Sequence, residues 1–325
     1  MKLPGVSIVV CCYNSKDRLP ETLKHIALQQ VPEHIKWEVV IVDNNSTDNT
    51  STVAEREWKK YAVKASFTVV KQPVPGLNAA REKGFETAKY EYVICCDDDN
   101  WLSSNYIKEV ALIFDNHADV GVVGTKAIPQ YEDHPPEWFK KYNVWFALGA
   151  QGKPGDITDK KGYVWGAGMA IRHTALANLK KTGYNNLLTD RVGSKMTTGG
   201  DVEVCFGLRF LKHKVYYTEK CSIHHYMPKS RFDEKKFFAL SYQNGFSTSY
   251  LDLLYRKKFL SKRELVSNIR RHLTRAPKQY VIKRKLGQTD FEEEVMFKSW
   301  QGRLSGLLFL LRKHKKLRQN FECLT

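Results

Sequence analysis

The sequence contains no CxxC pair and no apolar run long enough to cross a membrane. Its seven cysteines are odd in number, and the adjacent pairs Cys11 with Cys12 and Cys95 with Cys96 lie inside valine- and isoleucine-rich runs. This pattern is typical of buried thiols in a reducing compartment and disfavours a disulfide framework and a thiolate zinc site. The run Leu307–Leu311 is far shorter than the roughly 20 residues of a membrane-spanning helix. We expect a cytoplasmic protein that is soluble or peripheral.

An even distribution of charge is also missing. The 325 residues carry a net charge of +17, from 52 Lys and Arg against 35 Asp and Glu. Residues 251–325 hold 19 basic and 7 acidic residues, so +12 of this charge lies at the C-terminal end. No nucleic-acid-binding motif is present and the charge is terminal, so we expect no nucleic-acid partner. A protein that binds RNA or DNA through this basic region is the alternative hypothesis.

The glycine-rich turn of dinucleotide-binding proteins is absent too. The first predicted strand continues into CCYNSKDR, which contains no GxGxxG motif. This disfavours a dinucleotide-dependent oxidoreductase.

What is present is an alternation of short apolar runs and helix-compatible stretches. The apolar runs cover residues 6–12, 38–42, 67–71 and 92–96. Because they are apolar on both faces, they are typical of buried parallel strands, and we expect the first of them to be a strand and not a signal peptide. Leu19, Leu23 and Ile26 have helical spacing in the first intervening stretch. The sequence therefore predicts a doubly wound α/β sheet over roughly residues 1–120, with ligands beyond the carboxyl ends of the strands.

Polar side chains cluster where these strands end. They are Tyr13 and Asn14, then Asp43, Asn44, Asn45 and Ser46, and finally Asp97, Asp98, Asp99 and Asn100. Three consecutive carboxylates are unfavourable without a cation, because neighbouring anions raise one another's pKa. Hard oxygen ligands at a loop fit Mg²⁺ or Mn²⁺ held jointly with a pyrophosphate. Ordinary turns and helix caps are the alternative interpretation of each cluster.

The ordered combination of several segments resembles glycosyltransferase family 2, whose members have the GT-A fold and invert anomeric configuration. The segments are VSIVVCCYN, EVVIVDNNSTDNT, PGLNAAREKG, YEYVICCDDDN, WGAGMAIR and TTGGDVEVCFGLRF. They lie within about residues 5–230, and it is their order rather than any single motif that is specific.

The resemblance implies a set of site residues. The implied donor-binding residues are Tyr13, Asn14, Asp43, Asn45, Arg81, Asp97 and Asp98. The implied metal ligands are Asp99 and His225, with His224 as the alternative to His225, and the metal is Mn²⁺ or Mg²⁺. Asp97 and Asp99 correspond to the ends of the family's DxD motif. Asp201 falls where the family has its catalytic base, with Glu203 as the alternative.

The chemistry of the reaction agrees with this assignment. In an inverting transfer one base removes the proton of the attacking hydroxyl, and a carboxylate such as Asp201 is suited to this role. The departing nucleoside diphosphate needs no proton when a metal and cations such as Arg81 and Arg231 meet its charge. A helix cap for Asp201 and a surface salt bridge to Glu82 for Arg81 are the structural alternatives.

Two further segments have open interpretations. The residues Trp138, Phe139, Trp145, Phe146 and the WGAG sequence at 165–168 are candidates for sugar contact, with ordinary core packing as the alternative. Trp300, Leu304, Leu307, Leu308 and Leu311 form one stripe of a predicted helix, followed by Arg312, Lys313, Lys315, Lys316 and Arg318. This helix is predicted either to lie in an anionic membrane interface on the inner face of the cell membrane or to pack on the catalytic domain.

Taken together, the sequence predicts a GT-A catalytic domain over residues 1–231, with a donor half at about 1–120 and an acceptor half at 121–231. A helical, basic region follows over residues 232–325. The expected activity is the inverting, metal-dependent transfer of a sugar from a nucleotide sugar, most simply a UDP-sugar. The expected acceptor is a saccharide or a lipid-linked glycan in bacterial surface polysaccharide synthesis.

Overall fold

A central, mostly parallel β-sheet organises the protein. The computed structural model describes residues 2–325 except 189–190, 193–194, 276–279, 281 and 284–285. The strands are β1 Leu3–Cys12, β2 Trp37–Asp43, β3 Ser66–Lys71, β4 Tyr90–Asp97, β5 Asn100–Leu102, β6 Val120–Tyr131, β7 Gly155–Asp156, β8 Ala170–Arg172, β9 Arg191–Val192, β10 Lys195–Met196 and β11 Lys214–Met227. The four apolar runs at 6–12, 38–42, 67–71 and 92–96 are thus β1 to β4, as predicted.

The sheet has the strand order β3-β2-β1-β4-β8-β6-β11-β5, and β7 pairs with β11. β1 lies parallel between β2 and β4, and β6 is parallel to β11. The short β8 joins the two parallel parts because it runs antiparallel to both β4 and β6. β9 and β10 form a separate antiparallel pair. The strand order reverses beside β1, which is where doubly wound sheets bind ligands.

Helices cover both faces of the sheet. They are α1 Leu19–Ala27, α2 Thr50–Trp58, α3 Leu77–Thr87, α4 Tyr106–Asn116, α5 Glu137–Lys141, α6 His173–Lys181, α7 Gly200–Phe210, α8 Glu234–Tyr255, α9 Lys262–Thr274, α10 Phe291–Arg312 and α11 His314–Glu322. Along β1, Ile8 and Val10 face a cluster with α1, α2 and α4, whereas Val9 faces a cluster with α3, α6 and α7. Each of these fully buried side chains contributes about 1.5–3 kcal/mol, which explains why both faces of the strand are apolar.

The C-terminal helices α8 and α10 pack against each other at very short range. A Cβ atom added at Gly302 of α10 would lie 1.9 Å from the carbonyl oxygen of Tyr242, and one added at Gly245 of α8 would lie 2.1 Å from that of Ser299. Gly306 meets α8 in the same way. These glycines therefore allow two helical backbones to touch directly.

The predicted amphipathic stripe of α10 is packed inside the protein. Leu307 is buried in the apolar cluster that also holds α3, α6 and α7, and Leu304, Leu308 and Leu311 pack against that cluster. The basic side chains Arg312, Lys313, Lys315, Lys316 and Arg318 are exposed. These contacts match the alternative in which the helix packs on the preceding domain. Among the described helices, none is long and apolar enough to span a bilayer.

The apolar cluster that holds α3, α6, α7 and Leu307 includes residues on both sides of the predicted boundary at residue 231. The division into two domains therefore stays a prediction.

The aromatic residues at positions 138–146 also belong to a core. Phe139 and Phe146 stack on each other and pack with Phe237 of α8, and Trp138 and Trp145 contact the same ring. Their interpretation as core residues is the one that these contacts favour.

Candidate active site

The carboxyl ends of β1, β2 and β4 form one polar edge of the sheet. Cys12 lies opposite Asp43, and Cys11 lies opposite Asp97, because the three strands are parallel and in register. The side chains that follow these positions therefore come together at the point where the strand order reverses. The clustering predicted from the sequence is present.

Asn14 and Asp43 hold the loops at this edge. Asn14, in the left-handed region with φ of 50°, accepts the Thr47 N–H at Oδ1 over 2.8 Å. Asp43 accepts the Ser46 N–H over 3.0 Å and the Ser51 hydroxyl over 2.5 Å. Both side chains thus fix the loop that connects β2 to α2.

Tyr13 and Asn45 are instead directed outward. Tyr13 is 57% exposed, and Asn45 is exposed with φ of 59°. The intervening Asn44 is buried, and its Nδ2 donates to the carbonyl oxygens of Gln72 and Val74. Among Asp43, Asn44 and Asn45, only Asn45 is therefore exposed.

The middle residue of the acidic triplet points into the protein. The Asp98 carboxylate accepts a hydrogen bond from the Ser15 hydroxyl and one of 2.6 Å from Arg18 Nη2, and its carbonyl oxygen accepts from Thr22. Burial and the nearby charge of Asp99 raise the pKa of Asp98. Asp98 thus anchors the start of α1, and its predicted place among the donor-binding residues gains no support from this geometry.

Asp99, His225 and Arg231 come together where β5 pairs with β11. Asp99 Oδ2 accepts a hydrogen bond of 2.8 Å from Arg231 Nη2, and Asp99 Oδ1 lies 3.5 Å from His225 Nε2. Asp99 and His225 are 6% and 5% exposed. His224 is the neighbour along the strand and points to the opposite face, since side chains alternate. The geometry therefore favours His225 over His224.

The type of these donors fits a divalent cation. A carboxylate oxygen and an imidazole nitrogen are ligands that Mn²⁺ accepts, whereas Mg²⁺ prefers oxygen throughout. Across the described residues, no group of three or more His, Cys, Asp or Glu side chains is placed to hold a metal ion. Asp99 and His225 are the two residues at this point whose donor types match the predicted cation.

Asp201 lies at the start of α7 and is oriented by the backbone. Its Oδ2 accepts the Gly166 N–H over 2.5 Å, and its Oδ1 accepts the Val202 N–H over 2.9 Å. A Cβ atom at Gly166 would lie 2.9 Å from Arg81 Nη2 and 3.3 Å from Asp201 Oδ2. Gly166 therefore brings the predicted base and the predicted diphosphate-side cation to one point.

Glu203, the alternative base, is buried and hydrogen-bonded inside the protein. It is fully buried and accepts hydrogen bonds from the Tyr184 hydroxyl at 2.5 Å and from the N–H groups of Leu187 and Leu188 at 2.7 Å each. Asp201 is partly exposed two residues earlier. The geometry therefore favours Asp201 as the base.

A cavity of about 480 Å³ opens beside Asp201 and Arg81, between α3, α6 and α7. Its apolar lining consists of Phe85, Cys95, Met169, Ile171, Leu176, Leu179 and Val204. Glu82 lies at its polar rim, where its carboxylate is 3.9 Å from Lys180 Nζ. Lys180 is thus an ion-pair partner of Glu82 that the sequence did not predict.

The family of the chain follows from a comparison with known proteins. The family model described as Glycosyl transferase family 2 matches residues 7–180, which is more than half of the chain. The chain belongs to glycosyltransferase family 2. The family expected from the sequence motifs is therefore confirmed.

Two sequence relatives of this family 2 member are bacterial. EpsH of Bacillus subtilis (strain 168) is 31% identical over 154 residues, which make up 43% of each chain. The poly(ribitol-phosphate) beta-N-acetylglucosaminyltransferase TarS of Staphylococcus aureus (strain Mu50) is 31% identical over 123 residues, or 38% of this chain and 21% of TarS. The chain thus spans less than half the length of these curated relatives.

Solved structures show the same fold. The crystal structure of S. aureus TarS 1–349 in complex with UDP has a TM-score of 0.53 at 14% identity and covers 96% of this chain and 91% of that one. The mannosyltransferase PcManGT from Pyrobaculum calidifontis, in complex with GDP-Man and Mn²⁺, has a TM-score of 0.57 at 17% identity, with 96% and 88% covered. The GT-A fold predicted for this family 2 chain is confirmed.

Besides the Glu82–Lys180 ion pair, two features near Asp201 were not predicted from the sequence of this family 2 chain. One is the cavity, which depends on how three helices pack on the sheet. The other is Lys161, whose ammonium lies 4.2 Å from the centroid of the Trp165 ring and 4.6 Å from that of Tyr163. The only sequence signal was the KGYVWG segment, in which a lysine precedes two aromatic residues at even spacing.

Proposed function

We propose that this family 2 member is an inverting, metal-dependent glycosyltransferase that uses a nucleotide-sugar donor. The observation that carries the proposal is the convergence of Asp201 and Arg81 on Gly166, beside the polar edge formed by β1, β2 and β4. An inverting transfer requires a base for the acceptor hydroxyl, a positive charge for the diphosphate and a surface that binds the nucleotide.

Asp201 acts as the base in this proposal. An acceptor hydroxyl attacks the anomeric carbon of the donor from the face opposite the nucleotide, and its proton moves to the Asp201 carboxylate as the new C–O bond forms. The Gly166 and Val202 N–H groups hold both carboxylate oxygens in place. This orientation means that little reorganisation is needed when the hydroxyl arrives.

The donor side is made by the strand ends. Tyr13, Asn14, Asp43 and Asn45 are proposed to hold the base and ribose, and Asp97 lies next to them at the end of β4. Arg231 and Arg81 are proposed to neutralise the departing diphosphate, whose bond to the anomeric carbon breaks in the same step. A divalent cation held by Asp99 and His225 would supply further positive charge at that diphosphate.

The donor and acceptor follow from the relatives only as proposals. TarS is solved with UDP, and its name gives a poly(ribitol-phosphate) acceptor, whereas PcManGT is solved with GDP-Man. We propose a UDP-sugar donor and a saccharide or lipid-linked glycan acceptor in the synthesis of a bacterial surface polysaccharide. The exposed basic residues of α11 are proposed to contact an anionic membrane surface by charge alone.

Thermal stabilisation by nucleotide sugars tests this proposal without an acceptor. A ligand that binds the folded state raises the melting temperature, so a panel of UDP-, GDP- and TDP-sugars with Mn²⁺ or Mg²⁺ reports donor choice. We expect a UDP-sugar to give the largest shift, and we expect chelator or Asp99→Ala to remove most of it.

Two controls make the result decisive. Asp159 is exposed, so Asp159→Ala removes the same charge as Asp99→Ala but at the surface. This variant should keep the full donor-induced shift in melting temperature. No shift with any nucleotide sugar and metal would contradict the proposed function, and a shift unchanged by chelator would contradict its metal dependence.

A further inference from the structure

Lys161 is a partly buried cation close to the proposed base. Its ammonium lies over the faces of Trp165 and Tyr163 and donates a hydrogen bond of 3.2 Å to Gln151 Oε1. Trp165 immediately precedes Gly166, whose N–H holds Asp201. Lys161 therefore packs on the residue that precedes the N–H group orienting Asp201.

This cation has no carboxylate partner at ion-pair distance within the described part of the chain. Its hydrogen-bond partner there is a neutral amide, and an ammonium group has three N–H donors to satisfy. Charges removed from water are normally paired, because desolvation otherwise costs several kcal/mol. The two aromatic faces offset only part of that cost.

The electrostatics of the surrounding groups agree with this description. Burial lowers the pKa of Lys161 to about 8, and the negative charge of Asp201 and the Cys205 thiol oppose that shift. Asp201 also contributes, after burial, to the raised pKa of Tyr163. Lys161, Tyr163 and Asp201 thus share one electrostatic environment.

We propose that Lys161 binds an anionic group of the acceptor, a phosphate or a carboxylate, and presents the neighbouring sugar hydroxyl to Asp201. The inference rests on the proposed function, because it assigns a charge to the acceptor of that reaction. The ligand would supply the counter-ion that Lys161 lacks among the described side chains. A neutral saccharide would leave that cation desolvated and unpaired, so charge on the acceptor becomes a basis for specificity.

The test compares binding of charged and neutral sugars to the full chain. Glucose 6-phosphate, methyl glucuronide and methyl glucoside are titrated at pH 7 by ligand-detected NMR, with UDP and Mg²⁺ present to occupy Arg81 and Arg231. We expect the wild type to bind at least one charged probe about fivefold or more tightly than the neutral one, as for a charge-assisted hydrogen bond. The charged probe that is preferred distinguishes a phosphate from a carboxylate acceptor.

Two variants assign the preference to Lys161. Lys161→Met keeps the length and the packing on the rings but removes the charge, and it should abolish the preference while UDP binding is unchanged. Lys160→Met, at the exposed neighbouring position, is the matched control and should keep it. An unchanged melting temperature of Lys161→Met at pH 7, or a higher one, would show that the variant is folded.

The outcomes separate this inference from the proposed function. UDP binding without any charge preference, or a preference that survives in Lys161→Met, would overturn the inference and leave the function intact. A preference without nucleotide binding would instead contradict the function, and with it the role of Lys161 in acceptor recognition.

Discussion

The polar edge of the sheet and the α8/α10 helix pair are assembled by opposite means. At the edge, side chains such as Asp43 and Asn44 hold neighbouring loops through hydrogen bonds. In the helix pair, Gly245 and Gly302 bring backbones into contact because they have no side chain. The comparison shows that the first region depends on which groups are present, and the second on which are absent.

The largest effect is expected at the proposed base. Asp201→Asn keeps the shape of the side chain but cannot accept a proton, so we expect kcat to fall by about 10²–10⁴-fold. Donor-induced thermal stabilisation should stay close to that of the wild type. Steady-state rates with saturating donor and acceptor measure this, and a loss of less than about fivefold would remove Asp201 from the base role.

A methyl group at the helix contact should reduce stability rather than catalysis. Gly302→Ala places Cβ against the Tyr242 carbonyl oxygen, so the helices must move apart at a cost of about 1–3 kcal/mol or more. Gly207→Ala in α7 is the matched control, since its Cβ meets only the flexible end of Leu179, at 2.9 Å. Denaturant unfolding should show a larger loss in the free energy of unfolding for Gly302→Ala than for Gly207→Ala. Equal losses would show that the two helices adjust to the methyl group at little cost.

Glu203→Gln separates the two carboxylates at the start of α7. Glu203 accepts hydrogen bonds from the Tyr184 hydroxyl and from the N–H groups of Leu187 and Leu188, and the NH₂ group of a glutamine would face at least one of these donors. We expect a loss of about 1–3 kcal/mol in the free energy of unfolding. In the folded protein kcat should fall much less than in Asp201→Asn; the reverse ranking of kcat would identify Glu203 as the base.

The smallest effect is a pH-dependent change in stability at Lys161. Because its folded pKa is about 8 and its ordinary value is 10.5, the unfolded chain binds more protons between these values. The wild type should therefore gain stability relative to Lys161→Met as pH rises from 8 to 10. Asp201, Cys205 and Tyr163 surround Lys161 in both proteins, so the difference in melting temperature isolates the ammonium. A constant difference would mean that Lys161 keeps its ordinary pKa.

The strands and the polar edge were predictable because local pattern and position in the sheet agree. Apolar runs fixed β1 to β4, and polar residues at their ends had to meet, since parallel neighbouring strands end at one edge. The separate roles within the acidic triplet were only partly predictable. The resemblance implied that Asp98 binds the donor, whereas its contacts with Ser15 and Arg18 depend on how α1 returns to the sheet.

The amphipathic stripe of α10 shows the limit of this reasoning. Helical periodicity identifies an apolar face, yet it does not say whether lipid or protein covers that face. Here Leu307 is buried against the helices that pack on the sheet.

The sequence by itself determined the family, the parallel half of the sheet and the residue types of the site, because these follow from periodicity and from motifs in a fixed order. Only the tertiary structure distinguishes nearby residues of similar chemistry: it buries Glu203 and leaves Asp201 partly exposed, and it brings His225 to 3.5 Å from Asp99. It also revealed Lys161 beside Trp165 and the close glycine contact of α8 with α10. These features depend on distances between segments far apart in the chain, which only the packed molecule defines.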